Sequence, residues 1–169
     1  CAPLADCLDF VGSLAYILVS LGVGVRLWSF SGGLSERCIV ANARSGGGRT
    51  IIPRALESLS CGGVSNTARS FAQWKARGRQ KRVFVFSDFH ERGLVLPSPP
   101  SGRLFLIRYR TPFGSLAEPG TELELEDPET GRRLTMPWTR AEEAAWIESE
   151  ARRENTLASA ARTFVWSLD

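Results

Sequence analysis

Interleaved helical and strand patterns predict an α/β protein, a three-layer α/β/α sandwich around a mostly parallel sheet with a β-hairpin inserted late. Three observations carry that expectation. Val83-Phe-Val-Phe86 places four β-favouring apolar residues in a row, the pattern of a strand buried on both faces of a parallel sheet. Segments of helical period lie before and after it. Glu122-Leu-Glu-Leu-Glu126 alternates with period two and reads as a strand with one wet face. The 169 residues suffice for one domain, 1–169, with a real core. Usage of 43% hydrophobic and 23% charged residues is that of a globular chain, which argues against disorder, collagen and coiled coil.

The elements follow in order. Leu4, Leu8, Val11, Leu14, Ala15 and Leu18 recur at helical spacing, so residues 4–21 form a buried amphipathic helix that Gly22 and Gly24 end. Residues 23–30 and 36–43 read as strands joined by a hairpin-type turn at Ser31-Gly-Gly. Ser45-Gly-Gly-Gly-Arg-Thr50 is a loop, and Pro53 fits the first turn of a short helix over 52–59, left through Cys61-Gly-Gly. A helix over 65–77 turns Ala68, Phe71, Ala72 and Trp74 inward. The strand 82–88 ends in Ser87 and Asp88. Residues 103–109 form another strand. The strand 122–126 returns through Asp127-Pro-Glu-Thr-Gly131 as 132–136. Thr139-Arg-Ala-Glu142 is a capping box that opens a long helix to about Ala161. Thr163 to Ser167 is the last strand.

Composition narrows the function. The four cysteines, Cys1, Cys7, Cys38 and Cys61, form no CxxC pair, and His90 is the single histidine. That disfavours both a zinc site and a Ser-His-Asp hydrolase. The thiols read as reduced and intracellular. The longest apolar run, Leu14 to Val25, is broken by Ser20, Gly22 and Gly24 and is too short to cross a bilayer. The net charge is only +3, but residues 1–116 carry +9 and residues 117–169 carry −6. Ser45-Gly-Gly-Gly-Arg-Thr50 lacks the Gly-Lys-Ser/Thr ending of a phosphate loop. The run Lys75-Ala-Arg77-Gly-Arg79-Gln-Lys81-Arg82 reads either as a phosphate-binding patch or as a solvated helix end, and it holds no aromatic for base stacking. Glu122, Glu124 and Glu126 read as a solvated strand face, and His90 as a solvent-facing loop residue.

Asp88 is the candidate site residue. It follows the carboxyl end of an apolar strand, where open α/β sheets bind ligands. Two roles stand open: a turn cap that accepts backbone amides, or a carboxylate near a hard ion such as Mg²⁺, with Ser65 supplying a hydroxyl from a neighbouring loop.

The strand Val83-Phe-Val-Phe-Ser-Asp-Phe89, the segment Glu122-Leu-Glu-Leu-Glu-Asp-Pro-Glu-Thr-Gly-Arg132 and the stretch Leu8 to Phe30 together resemble a bacterial family. It is the von Willebrand factor type A-like, Rossmann-like "domain of unknown function 58" family, encoded beside MoxR-type AAA+ ATPases. The resemblance implies a metal-ion-dependent adhesion site at the carboxyl edge of the sheet. Asp88 then matches the site's last Asp, and Ser65 stands where the family has Thr. The Asp-x-Ser-x-Ser element of that site has no match in this sequence. The chain therefore reads as an N-terminally truncated domain that lacks its first strand, with weak or no Mg²⁺ (or Mn²⁺) binding of its own and a gap or a strained pairing between the strands at 23–30 and 82–87. The resemblance further implies a cytoplasmic, non-enzymatic protein–protein interaction module. Its partner is a MoxR-type AAA+ ATPase or that ATPase's client; members of the family often carry a membrane anchor, which would belong to the missing N-terminal part. Two alternatives are a metal-dependent hydrolase or phosphotransferase using Asp88, and nucleic-acid binding through 75–82.

Overall fold

A computed structural model describes residues 2–30, 33–40, 48–59, 66–77, 82–91, 104–110, 117–126, 131–160 and 162–167. The chain divides into two compact units, Cys1–Gly78 and Arg79–Asp169.

The first unit opens with helix α1 (Ala2–Ser20). Cys7, Ala15 and Val19 are its buried residues, while Leu8, Val11, Leu14 and Leu18 are half-buried. Gly22 ends the helix at φ +78, where the Val23 amide donates to the Leu18 carbonyl at 2.9 Å and the Gly22 amide to Val19 at 2.9 Å. This paired closure needs a left-handed residue, which glycine supplies without a Cβ clash. Strands β1 (Val25–Phe30) and β2 (Leu34–Val40) pair antiparallel from Val25↔Val40 to Phe30↔Leu34, with an irregularity at Leu27/Trp28.

Helix α2 (Gly48–Glu57) starts earlier than the sequence predicts, so Pro53 sits inside it and not in its first turn. Gly48 and Thr50, read as loop, belong to this helix. The ring removes one main-chain donor there. Helix α3 (Thr67–Arg77) is capped by Asn66, whose Oδ1 accepts the Arg69 amide at 2.9 Å. Its buried residues are Thr67, Ser70 and Phe71; Ala68 and Ala72 are exposed, contrary to the expected stripe. With Asn66 as its cap the helix begins at Thr67, two residues later than expected, and the small alanines carry too little apolar surface to fix the inward face.

Ala15, Val19, Val40 and Ile52 form the buried cluster of this unit, with Val25, Leu27, Cys38 and Leu56 packed against it. α1 and α2 approach closely at Gly12, where a Cβ would meet Leu56 Cδ1 at 3.1 Å. The Leu34 amide donates to Gln73 Oε1 at 2.7 Å, tying β2 to α3.

In the second unit, β3 (Val83–Ser87), β4 (Leu104–Arg110) and β7 (Arg162–Ser167) form a parallel sheet in the order β3-β4-β7. Phe84 and Phe105 stack across the first pair at 4.9 Å. β5 (Thr121–Glu126) and β6 (Arg133–Trp138) pair antiparallel as a separate hairpin, from Thr121↔Trp138 to Glu126↔Arg133. Its alternation is as predicted: Leu123 and Leu125 are half-buried while Glu122, Glu124 and Glu126 are exposed. Helix α4 (Arg140–Ala160) opens on the predicted capping box. The Thr139 amide donates to Glu142 Oε2 at 3.2 Å, and the Glu142 amide to Thr139 Oγ1 at 3.4 Å.

The expected three-layer sandwich around one mostly parallel sheet is not what these strands build. Among the described residues they divide into three sheets, and of these strands β3, β4 and β7 run parallel. The two expected hairpins do form, β1 with β2 and β5 with β6, both antiparallel, but neither is hydrogen-bonded into the parallel sheet. Antiparallel neighbours need only a short turn, whereas each parallel neighbour needs a crossover. β3, expected to be buried on both faces, is half-buried along its whole length and stands at the end of its sheet order. β1 and β3 belong to different sheets.

Several expected features lie outside the described residues: Ser65, Ser31-Gly32, the loop 45–47, Cys61-Gly62-Gly63, the Pro/Gly-rich stretch 97–102, the turn residues 127–130 and the basic positions 79–81.

Candidate functional site

Asp88 lies immediately past the carboxyl end of β3, as the sequence predicts, and is exposed. The turn it occupies is heavily determined. Ser87 Oγ accepts the Phe89 amide at 3.1 Å and donates to Asp88 Oδ1 at 3.4 Å. Asp88 Oδ1 in turn accepts the His90 amide at 3.2 Å. Each short side chain thus bonds the backbone two residues on, a Ser turn followed by an Asx turn. The capping role considered for Asp88 is therefore real.

Phe89 has φ 54, in the left-handed region that a bulky side chain rarely adopts. Its ring is only 1% exposed. Burial of an aromatic side chain contributes roughly 1.5–3 kcal/mol, enough to offset a left-handed backbone costing about 1–3 kcal/mol.

Behind the turn lies a group of charges that the sequence analysis missed. Arg108, in the middle of β4, is 0% exposed, and Glu150 of α4 is 2% exposed. The guanidinium distributes its donors over four partners. Nε donates to the Asp88 carbonyl at 3.1 Å and Nη1 to Glu154 Oε1 at 3.2 Å. Nη2 donates to Glu150 Oε2 and lies 3.3 Å from His90 Nε2. Glu150 also takes Arg153, three residues along the same helix. Glu150, Arg153 and Glu154 share one helical face at spacings of three and four. That spacing was the available signal. An isolated Arg within Leu104-Phe-Leu-Ile-Arg-Tyr109 was the other.

His90 completes the arrangement. Its Nε2 lies 3.5 Å from Glu150 Oε1, and its ring sits 5.7 Å from that of Trp146. The imidazole was expected to face solvent alone; it is 37% exposed and engaged on its inner edge. Burial, followed by the positive charge of Arg153, holds it below the ordinary histidine range, against the opposing pull of Asp88 and Glu150.

Ser65 lies outside the described residues. Among the described residues, no group of three or more His, Cys, Asp or Glu side chains is arranged to hold a metal ion. The Asp88 carboxylate does not by itself make the oxygen-rich shell that Mg²⁺ requires. Lys75 and Arg82, at the ends of the basic run, are exposed. Burial pushes the Cys7 thiol up to about 11 and raises that of Cys38, which leaves both largely protonated and unreactive.

No protein-family model and no curated protein matches the sequence. Among solved structures, the chain is similar to one described as an uncharacterised membrane-spanning protein from Vibrio fischeri. The identity is 10%, over 96% of this chain and 76% of that one, with a TM-score of 0.33. A likeness at that level carries no argument about fold or function. Among the described residues of the present chain, no helix is long and apolar enough to cross a membrane.

Proposed function

We propose that the chain is a non-enzymatic protein–protein interaction module of the "domain of unknown function 58" kind, and that Asp88 is its contact carboxylate. The observation that carries this reading is the exposed Asp88 carboxylate at the carboxyl end of a parallel strand, on a turn fixed by Ser87, Phe89 and Arg108. An interaction site needs such a group presented outward on a rigid support. The resemblance of residues 83–89 and 122–132 to that family supplies the partner class, a MoxR-type AAA+ ATPase or its client. A cytoplasmic location belongs to the same proposal.

Mg²⁺ or Mn²⁺ enters this reading through an Asp-x-Ser-x-Ser loop, which this sequence does not contain. With that loop in place, Asp88 and Ser65 would be among the residues that hold the ion, which would supply positive charge for a carboxylate of the partner. The opposite charge balance of residues 1–116 and 117–169 would orient the encounter.

Calorimetric titration with Mn²⁺ tests the proposal, on the 169-residue chain and on a version that supplies an Asp-x-Ser-x-Ser strand upstream. The expected result is binding by the extended version alone, abolished by Asp88→Ala. Binding that survives Asp88→Ala removes Asp88 from the site, and binding by neither version leaves the proposal without its ion.

A further inference from the structure

We infer that Arg108 is a positioning residue for the Asp88 turn, held in that role by Glu150 of α4. The inference rests on the reading of Asp88 as the contact carboxylate. The peptide plane between Asp88 and Phe89 is gripped from both sides: its carbonyl accepts Arg108 Nε at 3.1 Å, and its amide donates to Ser87 Oγ at 3.1 Å. That plane fixes where the chain turns. Phe89 then points inward and the Asp88 carboxylate outward.

Packing alone does not explain an arginine here. Its neighbours along β4, Leu104, Leu106 and Ile107, are buried apolar residues. Replacing a buried ion pair by apolar side chains of similar volume is often neutral or stabilising. What an apolar residue lacks is the Nε donor aimed at the end of β3. A lone guanidinium at 0% exposure would be costly, and Glu150, at 2%, supplies the compensating charge from the helix. The geometry therefore divides the labour: Arg108 grips the turn, and Glu150 keeps Arg108 in place.

Amide hydrogen exchange read by NMR on the full 169-residue chain tests this. The variants are Glu150→Gln and the double change Arg108→Met with Glu150→Leu, the second chosen because it removes both charges at once and preserves the fold. In each, the Phe89 and His90 amides should exchange about tenfold faster, the equivalent of losing one net hydrogen bond, while Leu106 and Ile107 within β4 change less than about twofold. A purely structural role would raise all four together, and an idle pair would raise none; either outcome overturns the inference. The Asp88→Ala titration above is separate. If Mn²⁺ binding ignores Asp88 while the two amides respond selectively, the contact role falls and the positioning role stands.

Discussion

In residues 1–78 the central buried cluster is Ala15, Val19, Val40 and Ile52, all apolar. In residues 79–169 the fully buried side chains include Leu104, Leu106 and Leu157, but also Arg108 and Glu150. The two interiors answer substitution differently. An apolar cluster loses stability in proportion to the volume removed and the cavity left. A charged pair loses it by abandonment, because the partner left behind is a buried charge without compensation. The second kind of interior is all-or-none. It also points in a direction, since each N–H of the guanidinium has a particular acceptor.

The comparison can be broken at its strongest point first. Arg108→Ala should cost about 3–5 kcal/mol, read as a fall in the urea midpoint, because it takes the buried guanidinium from Glu150 and leaves that carboxylate only the half-buried Arg153. The double change Arg108→Met with Glu150→Leu should recover most of that loss. A double variant no better than the single would mean that the pair is not compensating. Ile52→Ala tests the other interior and should cost about 2–4 kcal/mol, with no second-site change of charge able to restore it. Thr139→Ala, which removes one half of the capping box at the start of α4, should cost about 1 kcal/mol. The smallest effect is expected from acid. His90 is depressed in the folded protein, so the stability it contributes is complete above the unfolded value of 6.5 and is lost as pH falls through the folded value. The wild type should therefore lose more urea resistance between pH 7.5 and pH 5 than His90→Gln does. An equal loss in both would show that the imidazole is not linked to folding.

Much of the local structure could be read from the residues. Thr139 and Glu142 announce a helix start, the period-two glutamates a half-wet strand, and Gly22 a helix end. Each is a short-range rule set by backbone donors or by the alternation of a single strand. What could not be read is non-local. Nothing in Val25–Phe30 or Val83–Ser87 says which strand will be its neighbour, so elements that interleave along the chain suggested one sheet where three are built. The inward face of α3 was misjudged because Thr67 and Ser70 are buried in place of Ala68 and Ala72. A buried polar residue needs a hydrogen-bond partner, and the Ser70 hydroxyl finds a local one, the Asn66 carbonyl four residues back at 2.9 Å. For the site, Asp88 and its turn were legible from position. Arg108 was not, because its partners Glu150 and Glu154 lie more than forty residues away.

Phe89 makes the visible part of the turn and its determinant different residues. The course of the chain there is set largely by groups out of solvent's reach, the Phe89 ring and the Arg108 guanidinium, to which the exposed Asp88 carboxylate adds one bond. A contact surface of this kind can change what it binds at little cost to its fold. The converse also holds. Glycine at position 89 would relax the backbone and remove the anchor together, leaving Asp88 with its charge and without a fixed address.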